Sequence, residues 1–232
     1  RPISELMISI NKGAIQLPDF QRGWVWEDGR IKALIASITN NYPVGAAMFL
    51  EYGNDNIRFK YRVIEGVTAT DVIPTELILD GQQRLTSIYS SLYSRNAVHT
   101  RTDKGKKIFR YYYIDIKKAC DPNCDRVDAI FSVPETRIIT SNFGRDIELD
   151  LSDRTKEFEN KMFPLNLILD FPEEQNWQNE YYAFYNYNQE IIKEFTEFNK
   201  KIIMQTLQYK IPVISLGKDT PKEAVCQVFE NV

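Results

Sequence analysis

One feature constrains the possible folds of this sequence more than any other: a short apolar segment with a strand pattern is followed directly by a polar turn. Residues 76–79 are apolar at three of their four positions, and Asp80-Gly81-Gln82-Gln83-Arg84 follows them. Leu85, Ile88 and Leu92 then recur at the spacing of one helix face. The segment therefore predicts a strand, a tight bend at the glycine and a helix that starts beside it.

The residue types at this bend suit a bound anion. The first turn of a helix offers unpaired N–H groups and the positive end of the helix dipole. Arg84 would lie on that turn, where its guanidinium can hold phosphate oxygens. Gln82 and Gln83 add neutral donors, and Asp80 can hold a cation. In the alternative interpretation, Asp80 only caps the helix and the two glutamines are surface residues.

A second motif, Leu-Pro-Asp-Phe-Gln-Arg-Gly-Trp-Val-Trp, occupies residues 17–26. Its proline breaks regular structure, and Gln21 and Arg22 are flanked by three large aromatic side chains. Such a loop can stack a flat ring and bring an arginine to a phosphate, or its aromatics can pin it to the core. We expect both: the aromatic side chains anchor the loop, and Gln21 and Arg22 point to the site.

Helical and strand patterns alternate irregularly along the chain, which predicts an α+β fold rather than a doubly wound sheet. Residues 46–52 and 58–64 have strand patterns, and Asn54-Asp55-Asn56 predicts a hairpin turn between them. The β-branched residues of 211–216 predict a buried strand. Thr220, Pro221 and Glu223 predict the start of a last helix.

The domain organisation follows from where the patterns are weakest. Residues 1–100 and 205–232 are expected to form the core, and 101–204 an inserted or appended region of strands and helices. Residues 177–209 predict two helices that are rich in tyrosine and phenylalanine. We interpret this aromatic run as a helix buried on several sides; contact with a further domain or a homodimer is the alternative.

The charge is uneven along the chain. The chain has 29 Lys and Arg against 32 Asp and Glu, which gives a net charge of −3. This net charge does not favour binding of duplex DNA by the whole surface of the chain. Residues 95–118 nevertheless hold two aspartates and eight basic residues: Arg95, Arg101, Lys104, Lys106, Lys107, Arg110, Lys117 and Lys118. This segment is either a solvated loop and strand face or a local patch that contacts phosphates.

Several classes of protein are excluded by composition. Three cysteines and one histidine do not suffice for a disulfide framework or a zinc site, so we expect reduced thiols and a surface His99. No apolar run is long enough to cross a bilayer and no signal-peptide pattern is present, so we expect a cytoplasmic protein. The chain lacks an initiator Met and ends within a predicted helix, so we expect a fragment of a longer protein.

The two polar motifs together resemble the N-terminal domain of the GmrSD-type restriction proteins, whose relatives include the SspE-type antiphage effectors. The resemblance rests on the motif at 17–26, on Leu-Asp-Gly-Gln-Gln-Arg-Leu-Thr at 79–86 and on Pro43-Val44-Gly45. Residues 228–232 are similar to the start of a third family motif. The resemblance covers nearly the whole chain.

The resemblance implies a ParB/sulfiredoxin-like mixed sheet core with flanking helices and a helical C-terminal part. It implies that this chain is the regulatory domain of a bacterial, modification-dependent restriction or antiphage protein. That domain would bind and hydrolyse nucleoside triphosphates with Mg2+. It also implies a His-Asn-His-type nuclease domain on the C-terminal side, through which the full-length protein acts on DNA. That nuclease domain is not part of this sequence, so we expect no DNA cleavage by this chain alone.

The resemblance matches two residues of the turn, and a hypothesis of nucleotide hydrolysis gives roles to the others. Gly81, the amides after it and Arg84 match the phosphate-holding turn of the superfamily. Arg22 would neutralise phosphate charge from the opposite side, Gln21 would help to orient it, and Thr86 completes the nucleotide-binding set. Asp80 would bind Mg2+, and Asp80, Gln82 and Gln83 form the catalytic set, in which a glutamine orients the attacking water.

A hypothesis of a different class remains open beside the nucleoside triphosphatase. The chain would then be a non-catalytic module that senses modified DNA, with phosphates held by the basic segment and a base by the aromatic loop.

Overall fold

The structure is a computed structural model that describes residues 1–53 and 59–230, and its fold is α+β, as the sequence predicts. The strands are β1 (Ile15–Pro18), β2 (Ala47–Glu51), β3 (Tyr61–Arg62), β4 (Glu76–Asp80), β5 (Val98–Arg101), β6 (Lys107–Asp115), β7 (Ile130–Pro134), β8 (Ile138–Ser141), β9 (Asp146–Asp150), β10 (Met162–Pro164) and β11 (Val213–Leu216).

The helices lie between and around these strands. They are α1 (Ile3–Asn11), α2 (Asp28–Thr39), α3 (Gln82–Leu92), α4 (Ile116–Cys120), α5 (Arg126–Ala129), α6 (Arg154–Glu159), α7 (Phe171–Phe184), α8 (Gln189–Phe198), α9 (Met204–Leu207) and α10 (Lys222–Glu230). A π-helical turn, Asn199–Ile203, joins α8 to α9.

The central sheet is mixed and has the strand order β11-β2-β4-β1-β3. Its middle strand, β4, pairs parallel with β1 and antiparallel with β2. Leu77, Ile78 and Leu79 of β4 are all at most 2% exposed, as expected for a strand that is covered on both faces. The end of β4, where α3 begins, therefore has a rigid support.

A second sheet forms around β6, which pairs antiparallel with β5, β7 and β10. Side chains alternate along β6: Tyr112 and Ile114 belong to the main core, whereas Phe109 lies on the opposite face and is 44% exposed. The hairpin of β8 and β9 is not hydrogen-bonded to either sheet, but Ile139 and Leu149 pack against the buried cluster of Tyr113 and Val133 in the second sheet.

The main core combines side chains from both predicted regions of the chain. Ile78 and Leu85 belong to the same buried cluster as Tyr112, Phe163 and Trp177. The division into a core (1–100 and 205–232) and an inserted region (101–204) stays a prediction.

Residues 177–209 form helices, as predicted, but the expectation of burial on several sides was wrong, because α7 and α8 each bury one side. Trp177, Tyr181 and Phe195 are 0% exposed, whereas Tyr187 is 61% exposed. The indole Nε1 of Trp177 donates a hydrogen bond of 2.8 Å to Glu157 Oε2, a carboxylate at 4% exposure. Burial raises the pKa of Glu157, and its hydrogen bonds from Trp177 and Tyr113 oppose that shift.

Two strand predictions were wrong, one in the pairing of the strands and the other in the burial of the strand. The predicted hairpin of 46–52 with 58–64 does not form, because β3 pairs with β1 and β2 pairs with β4 and β11. The predicted turn Asn54-Asp55-Asn56 lies outside the described residues. The strand at 211–216 exists as β11, but it is an edge strand, and Ile214 on it is 48% exposed.

No helix among residues 1–53 and 59–230 combines the length and the apolar character that crossing a membrane would require. The cysteines Cys120, Cys124 and Cys226 are free, and His99 is exposed, as the sequence predicts.

Candidate functional site

The bend between β4 and α3 is built around Gly81, which has the left-handed backbone angles φ 91° and ψ 6°. A Cβ at this position would lie 3.2 Å from Ala47 Cβ and 3.3 Å from the Ala47 Cα on β2. Conformation and space therefore both require glycine here. The predicted strand, bend and helix are all present in the structure.

The start of α3 has no side-chain cap within the described residues. Gly81 itself is the N-cap, and the first helical bond joins Leu85 N–H to the Gly81 carbonyl at 3.0 Å. The interpretation in which Asp80 caps the helix is therefore wrong. The amides of the first turn remain available to an acceptor from outside the chain.

Arg84 reaches back from this first turn across the bend. Its Nη2 donates to the carbonyl oxygen of Ala46 at 2.5 Å and lies 3.5 Å from Asp80 Oδ2. A Cβ on Gly45, where φ is 89°, would be 3.0 Å from Arg84 Nη1. Gly45, which the sequence pointed to only through the family resemblance, is thus the residue that makes room for the guanidinium.

The pair of Arg84 and Asp80 is a weak one. The contact is at the upper end of ion-pair distances, and the two side chains are 29% and 40% exposed. Such exposed pairs contribute at most about 1 kcal/mol. Both charged groups can therefore exchange partners when a ligand enters.

The two glutamines of the motif hold the backbone of the 20–26 loop. Gln82 Nε2 donates to the Arg22 carbonyl at 2.6 Å. Gln83 is engaged at both ends of its amide: Oε1 accepts from Val25 N–H at 3.0 Å, and Nε2 donates to the Gly23 carbonyl at 3.2 Å. These contacts give both glutamines a positioning role that was not predicted from the sequence.

Other side chains fix the same loop. Gln21 Nε2 donates to the carbonyls of Ile78 and Leu79 at 2.8 and 3.1 Å, and its buried Oε1 has no partner among the described residues. Trp24 Nε1 donates to Ser87 Oγ at 3.0 Å. The loop is therefore attached both to the end of β4 and to the side of α3.

Arg62 on β3 also holds the loop, and the sequence did not reveal this contact. Its Nη2 donates to the carbonyls of Gln21 and Arg22 at 3.1 and 3.4 Å. No local pattern marks it, because its role depends on the pairing of β3 with β1.

The loop and the bend enclose a cleft of about 520 Å³. Seven of the eight predicted site residues line it, together with Phe20, Trp26 and Leu79; the seven are Gln21, Arg22, Asp80, Gly81, Gln82, Gln83 and Arg84. Thr86, the eighth, does not line the cleft and is 1% exposed, with a buried Oγ1 that has no partner within the described part of the chain.

The charges around the cleft favour an anion that is accompanied by a cation. Arg22 is exposed, and no carboxylate of the described residues pairs with it. Asp80 is the carboxylate that lines the cleft, and residues 1–53 and 59–230 contain no group of three His, Cys, Asp or Glu that could hold a metal by itself. A metal here would depend on oxygen ligands from a bound molecule as well as on Asp80.

A family model described as the N-terminal domain of GmrSD restriction endonuclease matches residues 3–232. The chain belongs to this family. The resemblance that the two motifs suggest is thereby confirmed over almost the entire length, and the cleft of this GmrSD N-terminal domain lies between those same two motifs.

An uncharacterized protein of Methanocaldococcus jannaschii is similar to this chain, with 30% identity over 237 residues. The alignment covers 98% of this chain and 38% of the relative. The GmrSD N-terminal domain therefore spans less than half the length of that relative.

Proposed function

We propose that the cleft between the loop at 20–26 and the start of α3 binds a nucleoside triphosphate and hydrolyses it. One observation carries the proposal: uncapped helix amides, Arg84 and Arg22 all border a single cleft of about 520 Å³. Helix N-termini and arginines are the groups with which proteins hold phosphates. The cleft has room for a nucleotide as well as for its phosphates.

Each residue at the cleft would have a defined task. The amides that follow Gly81 and the guanidinium of Arg84 hold the phosphates, and Arg22 neutralises their charge from the loop. Phe20 is 54% exposed at the rim and offers a face for a flat ring. Gln21 keeps the loop on the end of β4, so that Arg22 stays opposite Arg84.

Hydrolysis needs a water that attacks the γ-phosphorus as the bond to the bridging oxygen breaks. Gln82 is better suited than Gln83 to orient this water. Gln83 uses both ends of its amide on the loop, whereas the Oε1 of Gln82 accepts no hydrogen bond from the described residues. Positioning of this kind is a large part of phosphoryl-transfer catalysis.

Mg2+ fits the residues that are present. Proteins hold Mg2+ through one or two carboxylates plus phosphate oxygens and water, and Asp80 supplies one carboxylate beside the proposed phosphate site. When bound, the ion would neutralise charge on the phosphates. Asp80 would keep it there, directly or through water, after giving up its weak contact with Arg84.

The whole protein would be a modification-dependent restriction or antiphage protein. In it, this domain would regulate a His-Asn-His-type nuclease domain that acts on DNA, and nucleotide turnover would control that action. We also propose that the core is ParB/sulfiredoxin-like and that the chain forms a homodimer. Light scattering on the 232-residue chain tests the dimer.

A thermal-shift screen of all ribo- and deoxynucleoside triphosphates, with and without Mg2+, tests the nucleotide site. A ligand at about one hundred times its Kd stabilises a protein by about 2.7 kcal/mol, which is a rise in melting temperature of roughly 5 to 10 °C at this size. We expect such a rise for at least one nucleotide, larger with Mg2+. No rise with any nucleotide would favour the non-catalytic DNA-sensing hypothesis.

Replacing the two glutamines one at a time separates their roles. Because Gln83 only holds the loop, Gln83→Ala is expected to raise the KM about 3- to 10-fold, for the loss of two hydrogen bonds, with little change in kcat. Gln82→Ala is expected to lower kcat on the order of 100-fold. Phosphate release at varied nucleotide concentration measures both, and the reverse pattern would show that the assignment is wrong.

A further inference from the structure

The outward face of the β5–β6 hairpin carries exposed aromatic rings. His99 on β5 lies directly opposite Phe109 on β6, and their ring centroids are 4.4 Å apart in an edge-to-face arrangement. Both residues are exposed, and Phe109 at 44% contributes nothing to the buried core. The pair presents contiguous apolar ring surface to solvent near the edge of the sheet, the kind of surface that marks binding sites when polar residues surround it.

The same face is basic. Arg101 lies directly opposite Lys107, and like charges in such a pair destabilise a sheet. No carboxylate in the described part of the chain lies within ion-pair distance of either. Residues 98–110 hold five Lys or Arg and one Asp in a chain whose net charge is −3. The pair of Arg101 and Lys107 therefore favours binding of an anionic ligand from outside the chain.

This face differs from the linear basic segment that the sequence predicts. Arg110 falls on the core side of β6 with its Nε buried, and Lys117 and Lys118 belong to α4. In their place the fold adds Arg137, whose guanidinium lies 4.4 Å from the ring centroid of Tyr111, two residues beyond Phe109 on the same face. The outward face of β6 therefore carries Lys107, Phe109 and Tyr111, and Arg137, from the turn between β7 and β8, lies beside Tyr111.

A cavity of about 170 Å³ lies beside this face, between the hairpin and the loop that borders the nucleotide cleft. Trp24 and Trp26 of the loop and Phe109 of the hairpin all line it, and Glu65 is the one carboxylate in its described lining. Thr100 Oγ1 donates to the Trp26 carbonyl at 2.7 Å, so the hairpin and the loop are attached to each other.

We propose that this face, formed by His99, Arg101, Lys107, Phe109, Tyr111 and Arg137, binds single-stranded nucleic acid. The basic side chains would contact the phosphates, and unpaired bases would stack on Phe109 and in the tryptophan-lined cavity. A basic surface with exposed rings is the combination with which proteins bind single strands without sequence preference. A duplex keeps its bases stacked on each other and cannot use the rings.

Fluorescence anisotropy of the 232-residue chain with a fluorescein-labelled twenty-nucleotide oligo(dT) strand tests the proposal. The titration contains no nucleotide and no Mg2+, so its outcome does not depend on the nucleotide cleft. We expect Phe109→Ala to weaken binding at least about 5-fold through lost stacking. Arg101→Gln/Lys107→Gln should reduce the slope of log affinity against log salt by about 1.4.

Matched variants control for charge and for surface aromatics. Lys117→Gln/Lys193→Gln removes the same charge from exposed positions on α4 and α8, and Phe171→Ala removes a phenylalanine that is 63% exposed elsewhere. Both should leave affinity and salt slope within about 2-fold of the parent. The proposal is overturned if the parent does not bind the strand, if it binds a duplex of equal length as tightly, or if hairpin and control variants lose affinity equally. Circular dichroism verifies that every variant is folded.

Discussion

Arg84→Ala is expected to raise the Kd for the preferred nucleoside triphosphate with Mg2+ by about 30- to 900-fold. Losing one charge-assisted pair with a phosphate costs roughly 2 to 4 kcal/mol, and each 1.4 kcal/mol is a factor of ten. The guanidinium already lies at the cleft, held by the Ala46 carbonyl and only weakly by Asp80. Isothermal titration calorimetry measures the change.

Two further variants separate the loss of a phosphate ligand from the loss of structure. Arg84→Lys keeps the charge but not the planar fork, so it should recover part of the affinity. Arg145→Ala removes an exposed arginine from the turn between β8 and β9 and should bind like the parent. If Arg84→Ala is folded by circular dichroism and its affinity is unchanged, Arg84 does not hold the phosphates.

The local part of this site could be predicted because it depends on neighbouring residues. A strand, a glycine and a helical stripe determine the bend and place Asp80 and Arg84 on opposite sides of it. The roles of Gln82 and Gln83 could not be predicted, because their partners lie about 60 residues away in the chain. Only the folded chain shows that these glutamines hold the loop.

The same distinction applies to the fold. Helix α3 follows from apolar spacing within one segment, and the sequence places it correctly. Which strands are neighbours depends on residues that are distant in the sequence. The predicted hairpin therefore does not form, and β2 and β3 pair with other strands instead. The exposure of β11 likewise depends on its position at the edge and not on its β-branched residues.

Trp177→Ala is expected to lower the free energy of unfolding by about 3 to 5 kcal/mol, the usual loss when a buried Trp becomes Ala. The indole is 0% exposed and packs against the rings of Tyr181 and Phe195, with centroids 5.0 and 5.7 Å away. Its removal would also leave Glu157 Oε2 without its donor in a buried position. Urea denaturation followed by circular dichroism measures the change.

Trp177→Phe separates packing from hydrogen bonding, since it keeps a ring in the core and removes the Nε1–H donor. Its expected loss is smaller, about 1 to 3 kcal/mol, and arises mainly from the unpaired carboxylate of Glu157. Asn179→Ala, at an exposed position of the same helix, should stay within about 0.5 kcal/mol of the parent. A loss for Trp177→Ala no larger than that of Asn179→Ala would mean that α7 does not contribute to the common core.

With a total stability of about 5 to 15 kcal/mol, a loss of the expected size for Trp177→Ala would bring the whole chain close to unfolding. This is the behaviour of one cooperative core that extends from β4 to α8.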